Sequence, residues 1–239
     1  MIIGVHGKKR TGKDTISNFI SSEFGYTIVQ LASPIKYCLN EAYNHTITVA
    51  RVKRFKNIPM TLEIGNFYDN INGIDRDNTN LFLDRQFMDQ FVSEFINTFV
   101  INFSDLLRVD INYRHILDMH EQKIYDLLKE PITIRRLMQY FGTDLFVSVY
   151  PETWLDIACC DIKNENYVIS DIRQTHEYKY VIDNGGTVIH SLRQTDYTDS
   201  HKTECGLEIN KCDRVIMNDC TLEELKYRTI ELLKGIHNE

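Results

Sequence analysis

Short apolar runs alternate with amphipathic stretches at both ends of this chain. Ile2, Ile3 and Val5 form the first run, which closes on Gly7. From about Lys13 to Phe24, Ile16, Phe19 and Ile20 fall at i, i+3, i+4, the apolar stripe of a helix. Thr27 to Leu31 is β-branched and apolar and reads as a second strand. Ser33-Pro34 predicts a helix start, with Ser at the N-cap, Pro at the first helical position, and Ile35, Leu39 and Ala42 behind them. Farther on, Tyr167-Val168-Ile169, Thr187-Val188-Ile189 and Val215-Ile216-Met217 predict buried strands. Helices are expected between them at about Thr175–Asp183, stopped by Gly185-Gly186, and after them at Leu222–Leu233, capped by Thr221. Apolar strands alternating with helices signify an α/β fold, a parallel sheet flanked by helices.

Between these ends the texture changes. From about Asn44 to Glu130 Asn and Asp are dense, as in NFYDNINGIDRDNTN, and helical periodicity returns only at Gln86–Leu107 and His115–Leu128. Residues 44–130 are therefore expected to be a mostly helical subdomain inserted in a single domain spanning 1–239. After Pro131 a helix is predicted over Ile132–Phe141, starting at a Thr133 cap and ended by Gly142. A polar, His- and Thr-rich segment covers Arg193 to Asp213.

Charge narrows the possible partners. With 27 Lys plus Arg against 34 Asp plus Glu, the 239-residue chain carries −7, which argues against holding a nucleic-acid polymer as its main task. It leaves room for one small basic pocket. No apolar run approaches the roughly 18 residues of a membrane span, and MIIGVHG lacks the charged start of a signal peptide, so a cytoplasmic protein is expected. The six cysteines form no C-x-x-C pair and read as reduced thiols. His115 and His120 are five apart, off the spacing that puts two metal ligands on one helical face, and no metal site of side chains alone is evident.

The chemistry lies in Gly7-Lys8-Lys9-Arg10-Thr11-Gly12-Lys13, a G-x-x-x-x-G-K string between a strand and a helix. The glycines let the backbone curl so that N–H groups face phosphate oxygens. The helix N-terminus adds partial positive charge, and Lys13 reaches the β- and γ-phosphates. The residue after the Lys is usually a Mg²⁺-holding Ser or Thr; here it is Asp14, followed by Thr15. A carboxylate beside a triphosphate either sits near the Mg²⁺ or turns away as a helix-start charge. The GTPase strings D-x-x-G and N-K-x-D both occur, at Asp183–Gly186 and Asn210–Asp213, in the wrong contexts: one at a helix end, the other with no buried strand before it. Asp171, at a strand end, fits an acidic position beside Mg²⁺. Arg10, Arg135, Arg136, Arg173 and Arg193 lie outside regular structure or at helix starts, where guanidinium groups can hold a donor triphosphate and an anionic acceptor in line.

Taken together and in order, these residues resemble the deoxynucleoside monophosphate kinases of tailed bacteriophages, the T4-type enzyme above all. The likeness rests on Gly7-x-Lys9-Arg10-x-Gly12-Lys13-Asp14-Thr15, Gly73-Ile74-Asp75, Arg135-Arg136-Leu137-Met138-Gln139, Gly142-Thr143-Asp144, Asp171-x-Arg173-Gln174 with His176-Glu177, Gly186-Thr187-Val188-Ile189-His190, and His201-x-Thr203-Glu204-x-Gly206-Leu207. It runs collinearly from Ile2 to Leu233. The resemblance implies a P-loop kinase fold, the reaction ATP + dNMP → ADP + dNDP with Mg²⁺ for DNA precursor synthesis, and a homodimer. By the same likeness Gly7, Lys9, Arg10, Thr11, Gly12, Lys13, Asp14, Thr15 and Asn218 bind ATP, and Arg135, Arg136, Gln139, Asp171, Arg173 and Glu177 bind the acceptor. Lys13, Arg136, Arg173 and Arg193 act in catalysis, with Asp14, Thr15 and Asp171 near Mg²⁺ through phosphates and water. Arg193 would belong to a lid over about 193–213. Two other readings stay open: another small-molecule P-loop kinase, such as a phosphomevalonate kinase, and a non-catalytic nucleotide-binding protein.

Overall fold

A computed structural model describes residues 1–162, 166–194 and 206–238. They divide into two compact units, Met1–Leu31 with Ala158–Glu239, and Ala32–Ile157.

The first unit is built on a five-stranded, all-parallel sheet in the order β2-β3-β1-β4-β5: β1 (Ile2–His6), β2 (Thr27–Val29), β3 (Tyr167–Ile172), β4 (Thr187–Leu192) and β5 (Arg214–Met217). Every residue of β1 is buried, as expected of a central strand covered on both faces. Helices α1 (Lys13–Phe24), α7 (Thr175–Asp183) and α8 (Leu222–His237) complete the unit. Ile16 and Ile20 of α1 and Leu225, Leu233 and Ile236 of α8 share a core with Ile3, Val5, Val168, Ile189 and Ile216 of the sheet. Register then decides where chemistry can occur. His6 lies opposite Ile172 on one side and His190 on the other, so the chain leaves β1, β3 and β4 at one level. The loops after Gly7, Arg173 and Arg193 therefore gather at the carboxyl edge of the sheet, where open α/β sheets bind ligands.

The second unit is helical: α2 (Ser33–Val52), α3 (Arg85–Phe103), α4 (Tyr113–Leu127), α5 (Ile134–Gln139), a π-helical stretch (Tyr140–Val147) and α6 (Thr153–Ala158), whose last residue belongs to the sheet unit. Its core is aromatic. Phe87, Phe91, Phe95 and Phe99 recur every fourth residue along α3, all fully buried. Phe95 stacks on Phe141 at 4.4 Å, and Phe99 meets Phe146 at 4.5 Å and Trp154 at 5.7 Å.

Several local expectations change here. The helical unit, Ala32–Ile157, is wider at both ends than 44–130, and at the first end α2 runs unbroken through Asn44, with Thr46, Ile47 and Ala50 buried beyond it. Helix α2 begins at Ser33 with Ala32, not Ser33, as N-cap, since the Ala32 backbone is already in the right-handed helical region. Gly142 does not end a helix. The chain runs through it as a π-helix, its carbonyl accepting from Trp154 Nε1 at 2.9 Å and its missing side chain leaving room for Ile35. Thr133 does cap α5, accepting from the Arg136 N–H, and Thr221 caps α8. Among the described residues, no helix is long and apolar enough to cross a membrane.

Candidate active site

The seven residues after β1 form a closed loop. Thr11 donates to the Lys8 carbonyl through both its N–H (3.3 Å) and its hydroxyl (2.8 Å). The Thr11 carbonyl is held from outside by Ser191 Oγ (2.6 Å) and Asn218 Nδ2 (2.7 Å). Gly7 is required by space, because a Cβ there would meet the Ser191 carbonyl at 2.5 Å. Gly12 is required twice over: its φ is +93°, and a Cβ would overlap the Asn218 amide. Gly12 is also the N-cap of α1 and supplies no side-chain cap, so the first-turn N–H groups remain for a ligand anion.

Lys13 is buried inside this loop and donates to the Lys8 carbonyl at 2.8 Å, with Asp171 Oδ1 3.5 Å away. Burial, helped by the charge of Arg173, pulls its pKa below the usual lysine value, against the pull of Asp171 and Asp14. Asp171 also pairs with Arg173 Nε at 2.7 Å. Burial opposes its ionisation, but Arg173 and Lys13 together hold the carboxyl below the usual range. Behind them Glu177 accepts the backbone N–H groups of Arg173 (2.6 Å) and Gln174 (2.9 Å) at the start of α7. Its burial pushes its pKa up to about 7. His6 completes the cluster: its Nδ1 lies 2.8 Å from the Ile172 carbonyl, and its Nε2 accepts the Leu207 N–H at 3.1 Å. A carbonyl can only accept, so Nδ1 carries the proton and the ring is neutral. Burial lowers its pKa accordingly.

Beside the loop lies a cavity of about 400 Å³, lined by Arg10, Gly12, Lys13, Asp14, Thr15, Arg193, Asn218, Cys220, Leu222 and Leu225. Three basic side chains beside an uncapped helix N-terminus suit the phosphates of a nucleotide. The model for deoxynucleotide monophosphate kinase matches residues 1–229. The chain is also 32% identical to the deoxynucleotide monophosphate kinase of Escherichia phage RB69, covering 98% of this chain and 99% of that one. The same identity holds to the kinase of that description from Enterobacteria phage T4, covering 98% of each. The chain belongs to the deoxynucleotide monophosphate kinase family.

Kinases of this family take ATP as co-substrate, typically with Mg²⁺. The residues fit such an ion: among the described residues the buried Asp171 Oδ1 has only the Lys13 ammonium beside it, at 3.5 Å, and Asp14 and Thr15 border the cavity. The structure brings Gly7, Thr11, Gly12, Lys13, Asp14, Thr15, Asp171, Arg173 and Glu177 to one edge of the sheet, with exposed Arg10 and Arg193 on the cavity wall and Lys9 half-buried. Asn218 is a brace for the loop as well as a wall residue. In the helical unit, Arg136 Nη1 binds Asp144 at 2.9 Å. Arg135 donates its N–H to the Arg76 carbonyl, and its guanidinium lies 3.8 Å from Asp77. Arg135 and half-buried Gln139 are four apart on α5. His201, Thr203 and Glu204, and with them most of the expected lid, lie outside the described residues.

Sequence reasoning missed the supports. His6 and Ser191 carry no motif, and His190 and Asp213, buried as a pair at 2.9 Å, fall in strings that gave them no role. Asp213, the last residue of the misleading N-K-x-D string, is an anchor that also takes the Tyr178 hydroxyl and the Asn210 N–H. For His6 the available signal was a histidine immediately before the loop, in a strand otherwise apolar.

Proposed function

We propose that this protein transfers the γ-phosphoryl group of ATP to a deoxynucleoside 5′-monophosphate, releasing ADP and a deoxynucleoside diphosphate. The observation that carries the reading is Lys13 buried in an N–H-lined loop with Asp171 and Arg173 beside it.

The acceptor phosphate has a second pKa near 6, so its attacking oxygen is already ionised at neutral pH and needs no general base. The chain's own task is to position and to neutralise charge. The loop amides and Lys13 hold the donor phosphates, and Arg173 and Arg136 engage the acceptor and the transferring group, with Arg135, Gln139 and Asp171 on the acceptor side. Arg193 and Arg10 shield the donor from the cavity wall. Mg²⁺, held near Asp171, Asp14 and Thr15 through phosphates and water, would supply further neutralisation of the triphosphate. We expect a cytoplasmic homodimer, the latter tested by molar mass in solution at two concentrations.

A coupled assay of ADP release over dTMP, dGMP, dCMP, dAMP and non-nucleotide phosphates tests the reading. Release that requires a deoxynucleotide is expected. Equal ATP consumption without one, or preference for a non-nucleotide phosphate, would sink it.

A further inference from the structure

The peptide group joining Ile172 to Arg173 is gripped at both its polar ends, by His6 from another strand and by Glu177 from the first turn of the next helix. His6 Nδ1–H donates to its carbonyl at 2.8 Å, and Glu177 Oε2 accepts its N–H at 2.6 Å. The two grips approach from opposite sides, because C=O and N–H point apart across a trans peptide. All the parts are buried: Ile172 is wholly covered, His6 is 6% exposed and Glu177 7%. His6 is itself fixed, since the Leu207 N–H occupies Nε2 and leaves only Nδ1 to carry the proton. Arg173 follows the gripped peptide directly and Asp171 stands one residue before Ile172; the two side chains pair at 2.7 Å, and Asp171 lies 3.5 Å from Lys13.

We infer that His6 and Glu177 are positioning residues, acting as one clamp that sets the directions of Asp171 and Arg173 toward the reacting phosphates. Rotation of a peptide plane changes ψ of the residue before it and φ of the residue after it. A free Ile172–Arg173 plane would therefore loosen the backbone from which the Arg173 side chain springs and, through the 2.7 Å pair, Asp171 with it, whereas a plane held at both ends cannot rotate without breaking a buried hydrogen bond. Glu177 is thereby a support for the acceptor-side arginine and not a contact with the acceptor. The inference rests on the kinase reading, and it adds a residue that no phosphate-loop pattern includes. A misplacement of about 1 Å at such a site costs on the order of 100-fold in rate.

The test uses the full-length protein with His6→Leu, Glu177→Leu and the double variant, each corrected for folded fraction, beside His6→Asn and Glu177→Gln. The clamp predicts kcat reduced by about 10- to 100-fold in each leucine variant, with KM for ATP changed less than about threefold. The double variant should lose no more than the worse single, because one freed end already releases the plane. Asn retains a donor and Gln an acceptor, so these two should recover most of the lost kcat. Amide hydrogen exchange at Arg173, read without substrates, should quicken in both leucine variants. Wild-type kcat in His6→Leu, losses that multiply in the double variant, or unchanged Arg173 exchange would each overturn the clamp. A wild-type protein with no deoxynucleotide-dependent turnover would instead sink the kinase reading, and the exchange experiment would still judge the clamp.

Discussion

The sheet unit and the helical unit bury different things. Beneath the phosphate loop the sheet unit buries His6, Lys13, Glu177, His190 and Asp213, each with at least one polar partner. The helical unit buries rings: Tyr43, Phe67, Phe87, Phe91, Phe95, Phe99, Phe141 and Phe146 touch in an unbroken series. Most of its charges lie nearer solvent, as in Arg85 with Asp89 and Glu121. The His and Asp side chains it does bury are partnered, His120 by Asp89 and Asp156 by Arg108 and Tyr150. Buried charge is costly unless paired, so it is retained where chemistry uses it, while stability comes more cheaply from apolar area. The expected division is that substitutions in the sheet unit act first on rate and those in the helical core first on stability.

The sharpest challenge to this division is Lys13→Ala. It should lower ADP production by several orders of magnitude while the denaturation midpoint scarcely moves. Wild-type-like turnover would remove Lys13 from the site, and a large loss of stability would blur the contrast. Phe95→Ala is the counterpart, expected to cost about 3–5 kcal/mol in denaturant unfolding through the cavity it leaves. The affinity of the folded fraction for ATP, measured by calorimetry, should stay unchanged.

A pH series separates the units more finely. Glu177 has a folded-state pKa raised to about 7, so its stabilising contribution is complete below its unfolded value near 4.5 and is lost as pH rises through 7. Glu177→Gln should therefore gain on the wild type between those limits, by at most about 3 kcal/mol. His6 and His120, one in each unit, have lowered pKa values. Their contributions are present above 6.5 and lost as pH falls through the folded values. Urea midpoints from pH 4.5 to 8 check both signs. The smallest expected effect is Thr133→Ala, which removes the cap of α5 at a cost of about 1 kcal/mol, read from the thermal midpoint, with a modest rise in acceptor KM if Arg136 moves with the helix.

Legibility in the sequence followed the same line. The strands and helices of the sheet unit were readable because parallel strands are continuous apolar runs and their helices carry clear caps and stripes. In the helical unit the β-branched residues Thr46, Ile47, Thr48 and Val49, poor helix formers, hid the continuation of α2 to Val52, and Gly142 looked like a stop. A glycine ends a helix only if the chain needs a left-handed residue there. Gly142 instead keeps helical backbone, in a place where a side chain would crowd Ile35. Glu177 was singled out by resemblance alone, and its contacts are with backbone.

What the sequence determined by itself was the phosphate loop and the sheet that carries it, because Gly7 to Lys13 are consecutive and their chemistry is set by local backbone geometry. Only tertiary structure decided which groups hold that loop and the Asp171–Arg173 pair in place. Ser191 and Asn218 reach Thr11 from 180 and 207 residues away, and His6 reaches Ile172 across 166. Contacts of that span come from strand order and register, which put β3 and β4 on either side of β1. No run of neighbouring residues encodes them.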